Sequence, residues 1–378
     1  MLKWFFRIIL VCGLVHIPTG FNVFAGLQEE HAGAVAENEE SSPSGEVESS
    51  EAAESEKFSP GDFIFEHIAD AHEWHITEIN NKAISLPLPV IIYSKSKGLN
   101  IFMSGKFKHG HESYKGFVLL TSGDDKGKIM DEEDGTFPLD LSITRNVCGL
   151  FFSIFLLFWI FISAAKSYKR DPLAAPKGIQ SWVEPVIIFL RDEVAIPSIG
   201  EKQHARFMPY LLTVFFFILI NNLLGLIPIF PGGANLTGNI AVTAVLALFT
   251  LLVTNISGNR NYWTHIFNTP GVPVFLKLPI PLMPLIESLG IFTKPFVLMI
   301  RLFANITAGH IIAMGVFSMV FIFAEMSSFI GYGVSVISVL FDVFMIFVEL
   351  LVAFIQAFIF TFLSSIYIGM AVEEHHHE

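Results

Sequence analysis

The stretch Lys294-Pro295-Phe296-Val297-Leu298-Met299-Ile300-Arg301-Leu302-Phe303-Ala304-Asn305-Ile306-Thr307-Ala308-Gly309-His310 sets one arginine inside an apolar run that extends over 291–323. A charge at the centre of a membrane helix costs about 2.5–3.5 kcal/mol on insertion scales, so an intramembrane arginine marks a functional site and demands a partner. Arg301 lies too deep in the run for its side chain simply to snorkel to an interface. Asn305 follows one helical turn later and His310 further along.

Outward from this stretch the whole chain reads as membrane protein. Of 378 residues 52% are apolar and only 15% charged, with 39 Phe. Runs near the ~20 residues that a crossing requires fall at 148–165, 207–230, 240–256, 291–323 and 334–370. The last two exceed a perpendicular crossing and must tilt or leave the hydrocarbon. The expected class is an all-α polytopic membrane protein with five transmembrane helices and a long tilted C-terminal helical hairpin. An interfacial helix over 179–194 is too short and too charged to cross. The membrane domain spans about 145–374, with a tail at 375–378.

The N-terminal part differs. Lys3 and Arg7, the apolar segment 8–15 and the small-residue pattern Val23-Phe24-Ala25 read as a signal peptide over 1–25. Residues 26–57 carry ten Glu against one Lys, nine of the chain's twelve net negative charges, and read as a disordered acidic tether. The negative total therefore describes a tail, and with no basic stripe anywhere a nucleic-acid partner is excluded. Over 58–144 a small exported α+β domain is expected, with strands at 90–94, 99–103 and 116–121 and a helix over 62–78. On that helix His72 and His75 share a face while His67 lies further round, an arc too wide for a metal tripod. No metal and no cofactor is expected. Cys12 falls in the signal and Cys148 in a span, leaving no disulfide pair.

Loop charge sets the topology. Lys166, Lys169, Arg170, Lys177, Arg191, Lys202 and Arg206 follow the first span, and Arg260 and Lys277 follow the third, whereas 231–238 and 324–333 contain no Lys or Arg. The positive-inside rule puts the N-terminus outside and the C-terminus inside.

The last two helices carry polar residues at regular spacing. Glu287, Lys294 and Arg301 are each seven apart, and so are Asp342, Glu349 and Gln356. Reflection about a turn near Phe329, flanked by Gly331 and Gly333, sets Arg301 level with Gln356 and His310 level with Glu349, about 13 Å apart along the axis. Titratable groups stacked with a permanent cation form a proton relay. Arg301 has no carboxylate at its own level, so its partner is an acid on another protein.

In these residues the chain resembles subunit a of the F-type ATP synthase membrane sector, over about 145–374. The likeness rests on Phe207-Met208-Pro209 with 215–228 (FFFILINNLLGLIP), on 287–309 with its Arg-Leu-Phe-x-Asn and Ala-Gly, and on Gln356-Ala357-Phe358-Ile359-Phe360. The resemblance implies that Arg301 faces the carboxylate of a rotating c-ring. It implies that Asn305, Gln356, Glu287 and Asn222 line aqueous half-channels; the helical spacing adds His310 and Glu349 to the proton path and Asp342 and Lys294 as further lining. Many bacterial relatives have an acid after Ala-Gly and a histidine seven residues before Gln-Ala-Phe, so His310 and Glu349 stand in exchanged order here. The implied partners are the c-ring, b-type peripheral stalk subunits, the remainder of the synthase and the lipid bilayer, in a bacterial inner membrane. Such a subunit makes no bonds itself. The rival reading, a stand-alone ion-coupled transporter, calls for internal repeats with paired broken helices, which the sequence lacks. A metalloenzyme rests only on His67, His72 and His75.

Overall fold

The computed structural model describes residues 61, 70–79, 82–110, 112–121, 125, 127–170, 175–227, 232–267 and 282–373. The signal peptide, the acidic tether, His67 and the C-terminal tail lie outside the described residues.

Two compact units divide the chain, one holding 70–306 and 349–378 and the other 307–348. The first begins with β-strands. β1 (Glu73–Ile79) and β2 (Lys82–Pro87) form an antiparallel hairpin, with Ile79 opposite Lys82. β3 (Pro89–Ser94) is the middle strand of a sheet between β4 (Gly98–Met103) and β7 (Leu139–Asp140), and β5 (Phe117–Leu119) pairs with β6 (Ile129–Asp131). Val90, Ile92 and Phe102 bury their side chains against Phe107, Phe117 and Ile129.

The helix expected over 62–78 is corrected here: 73–79 is a strand, and between 70 and 142 the described residues hold strands and one 3-10 segment, with no α-helix. The physical reason lies in Glu73-Trp74-His75-Ile76-Thr77-Glu78, where polar and apolar residues largely alternate and Trp, Ile and Thr favour a pleated surface. Without a helix, the shared face that set His72 beside His75 disappears. His72 instead meets the Asp140 carboxylate, Nε2 to Oδ2 2.7 Å.

Among the described residues five helices are long and apolar enough to cross a membrane. α1 (Arg145–Arg170) leads to α2 (Ile179–Phe189), which runs through a π-helical turn (Leu190–Ala195) into α3 (Ile196–Ile199). Gln180 and Val183 of α2 are buried while Trp182 is 82% exposed, so the helix has two distinct faces. α4 (His204–Gly225) is the central helix, with Leu211, Phe215 and Ile218 fully buried. Phe161 of α1 meets its Phe216 edge-on at 5.1 Å. α5 (Ile240–Ser257) follows, capped by Asn239 Oδ1, which accepts from the Ala241 N–H, and then comes the short α6 (Arg260–Phe267).

α7 (Leu282–Met326) and α8 (Ser328–Val372) are 45 residues each. At about 1.5 Å per residue each measures about 67 Å, twice the hydrocarbon thickness, so neither stands along the bilayer normal within it. Pro295 lies inside α7 without ending it.

The helix break falls at Ser327 rather than near Phe329, the expected position of the turn. Gly331 is not a turn residue. It lies in α8, and a Cβ there would come within 2.8 Å of the Ala324 Cα, so its missing side chain serves close helix contact.

Candidate functional site along the polar face of α7

The seven-residue spacing of Glu287, Lys294 and Arg301 holds in one unbroken helix, which brings them to one side with little angular drift. Each meets a different environment. Arg301 is exposed and makes no ion pair or hydrogen bond among the described residues, and Asn305 beyond it is exposed too. Lys294 is half-buried, and its Nζ sits over the Tyr367 ring of α8, 5.5 Å from the centroid. Tyr367 also lies within Coulomb reach of the Arg301 guanidinium. Glu287, half-buried, faces Tyr262 of α6, whose hydroxyl is pushed up by burial and by the Glu287 carboxylate and donates to Asn255 Oδ1 at 3.1 Å.

A second group lies where α4 meets α8. Asn222 is buried and its Nδ2 donates to the Ala353 carbonyl at 3.3 Å, while its Oδ1 is buried with no partner among the described residues. Ala353 is four residues after Glu349 and three before Gln356, so Asn222 docks on the helix turn between them. Gln356 is 5% exposed and Glu349 is half-buried. Further along α8, Tyr210 Oη and Thr250 Oγ1 are 2.8 Å apart and Thr250 lies 3.3 Å from Ser364 Oγ, a buried hydroxyl chain joining α4, α5 and α8.

His310 and Asp342 belong to the other unit, 307–348, and both are half-buried there. Sequence reasoning missed Tyr262 and Tyr367. An aromatic side chain carries no spacing signal of its own, and only its position against a charged residue distant in the chain reveals it.

The end of α8 is held by polar groups. Asn259 N donates to Ala371 O at 2.9 Å and its Nδ2 to Val372 O at 2.7 Å, satisfying carbonyls that a helix end leaves open. Ser365 Oγ donates to Val194 O in the π-helical turn at 3.3 Å.

Comparison with known proteins identifies a family over the helical part of the chain. The family model for the ATP synthase A chain covers residues 147–369, and a model for a domain of unknown function (DUF8433) covers 63–146. ATP synthase subunit a of Chloroherpeton thalassium is 42% identical over 245 residues, 63% of this chain and 69% of that protein. The Chlorobium phaeobacteroides subunit a is 41% identical over 285 residues, covering 71% and 80%. Subunit a 2 of Chlorobaculum tepidum is 45% identical over 239 residues, covering 61% and 64%. With its polar α7 face, its long apolar helices and more than half its length inside the family model, this chain belongs to the ATP synthase subunit a family and serves as a proton-translocating subunit of the membrane sector.

Proposed function

We propose that Arg301 is the charge that meets the carboxylate of a rotating c-ring and separates two aqueous half-channels. The observation that carries this reading is its exposure on α7 with no ion pair among the described residues. An isolated cation in a membrane helix is too costly to keep without an acidic partner, and a ring carboxylate is an acid outside this chain.

Protons move from outside past His310, Asp342 and Glu349 toward the ring site near Asn305 and Gln356. After nearly a full rotation they leave to the cytoplasm along Lys294 and Glu287. The buried, unpartnered Oδ1 of Asn222 supports water on this route, since a buried amide oxygen is satisfied by water where protein supplies no donor. Arg301 repels a free proton and attracts an ionised carboxylate, favouring deprotonation of each ring site as it passes. Every proton crossing 100 mV releases about 2.3 kcal/mol.

In this reading the subunit is non-catalytic and works with the c-ring and b-type stalk subunits in a bacterial inner membrane. Five spans leave the N-terminus periplasmic and the C-terminus cytoplasmic, supported by the Lys and Arg of 166–206 and by Arg260. Residues 1–25 are the signal peptide, 26–57 the tether, 58–144 the exported domain and 145–374 the ion-conducting domain.

The decisive test is Arg301→Ala in the assembled complex in vesicles. The protein stays in the membrane and ATP synthesis driven by a proton gradient is abolished. Arg301→Lys fails as well, because an ammonium lacks the planar, permanently protonated fork. Substantial gradient-driven synthesis by Arg301→Ala would overturn the assignment.

A further inference from the structure

The three-stranded sheet of the N-terminal domain is apolar on both sides. One side holds Val90, Ile92 and Phe102 in the domain core. On the other, Tyr93 stands opposite Leu99, Ile91 opposite Ile101 and Pro89 opposite Met103, so all six project the same way, and Leu139 opposite Tyr93 extends the row. Leu99 and Ile101 are 60% and 61% exposed, Tyr93 50% and Met103 45%. The outer face of an antiparallel sheet in water carries polar side chains. Here the Tyr93 hydroxyl is the sole polar side-chain group among the seven, and a contiguous patch of this kind is an interaction surface.

The connections of the sheet identify what covers it. Only 141–144 separate β7 from α1, a reach of at most about 17 Å even fully extended. A second strap lies beside the first: the Arg145 N–H donates to Ala71 O at 2.9 Å and the Asn146 N–H to Asp70 Oδ1 at 3.0 Å. The domain is thus clamped at two points to the first turn of a helix that crosses the bilayer. The apolar surface also continues along the connection. Leu141 donates its N–H to Ile91 O at 2.8 Å and remains 37% exposed, and Phe151 and Phe155 are exposed further down α1. Aliphatic side chains beside an amphipathic tyrosine are the chemistry of the membrane–water boundary.

We propose that the face formed by Tyr93, Leu99, Ile101 and Met103 rests on the headgroup and upper acyl region of the leaflet into which α1 descends. The contact covers apolar surface otherwise left in water and fixes the tilt of the domain above the membrane. It is independent of the ion path.

A nitroxide label tests it, placed through Ile101→Cys in a Cys148→Ser background, in the assembled complex with its other cysteines replaced. The complex is held in vesicles of phosphatidylethanolamine and phosphatidylglycerol. Asp134→Cys, on an exposed turn, serves as the control. The label at 101 collides several-fold more with oxygen, which concentrates in lipid, than with a water-soluble nickel complex, and the order reverses at 134. Leu99→Cys repeats the pattern and guards against a local defect at 101. Nickel access at 101 equal to that at 134 would place the face in water and overturn the proposal. Exclusion of both reagents would assign the face to another protein, and dipolar broadening between labels to a second copy; either result also overturns it.

Discussion

Tyr367 shows how one side chain gathers the polar face of α7. Its ring seats the Lys294 ammonium at 5.5 Å and its surroundings feel the Arg301 charge. A cation over an aromatic face is worth about 0.5–1 kcal/mol when exposed and about 2 or more when desolvated. Tyr367→Leu therefore frees Lys294 to move, and ATP-driven proton pumping by the assembled complex falls several-fold. Tyr367→Phe keeps the ring and retains most of the pumping. Equal losses in both variants would place the function in the hydroxyl rather than in the seat for the lysine. Arg301 and Lys294 were legible in sequence because charges stand out in an apolar run. Tyr367 and Tyr262 were not, because an aromatic there is indistinguishable from ordinary apolar filling.

At the scale of elements, α8 is fixed at its last turns by close approach. A Cβ on Gly369 would overlap the Ser198 carbonyl oxygen in α3, where rigid backbone leaves no room to yield. Gly369→Ala forces the two helices apart at a cost of about 1–3 kcal/mol, the usual range for overpacking. The shift also loosens the Asn259 and Gln203 caps on Val372. The expected outcome is a lower melting temperature of the purified complex and less subunit retained in it. Gly333→Ala, where a Cβ meets open space, leaves both unchanged. The existence of a short helix from Ile179 was readable from its mixture of Trp182, aliphatic residues and charges. β1 differs from the helix expected over 62–78 because the alternation of Glu73 to Thr77 has the period of a strand.

On the scale of the whole molecule, the N-terminal domain carries its own charge-dependent stability. Asp131 is fully buried, and the hydrogen bond from Lys97 Nζ, 2.7 Å away, holds its carboxyl below the usual carboxylate range despite burial. At Asp140 burial opposes the charge, but the hydrogen bond from His72 and that ring's charge bring the carboxyl below the usual range as well. A carboxylate with a depressed folded pKa adds stability above its unfolded value, near 3.9, and loses it as the pH falls through the folded value. The protection of the β3 amides in the membrane-bound protein, each exchange rate taken relative to the intrinsic rate at the same pH, is thus high at neutral pH and falls below about pH 4. Asp131→Asn removes the closer of the two carboxylates on Lys97, leaving only Glu133 at 3.4 Å, so protection is lower at neutral pH and its acid dependence is shallower. An unchanged acid profile in that variant would place the titration elsewhere.

Composition and spacing alone determined that this is a membrane protein, that its last two helices are unusually long, and that Glu287, Lys294 and Arg301 share a face. Apolar runs and helical periodicity are local properties, carried by the order of residues within one element. Tertiary structure decided what meets that face and where the helices turn. Tyr367 reaches Lys294, Asn222 docks between Glu349 and Gln356, and Gly331 serves contact with Ala324 while the chain breaks at Ser327. It also decided that the N-terminal sheet has a second apolar face. These outcomes depend on surfaces distant in the chain coming together, and packing between elements overrides the local preference of a glycine, a histidine or a tyrosine.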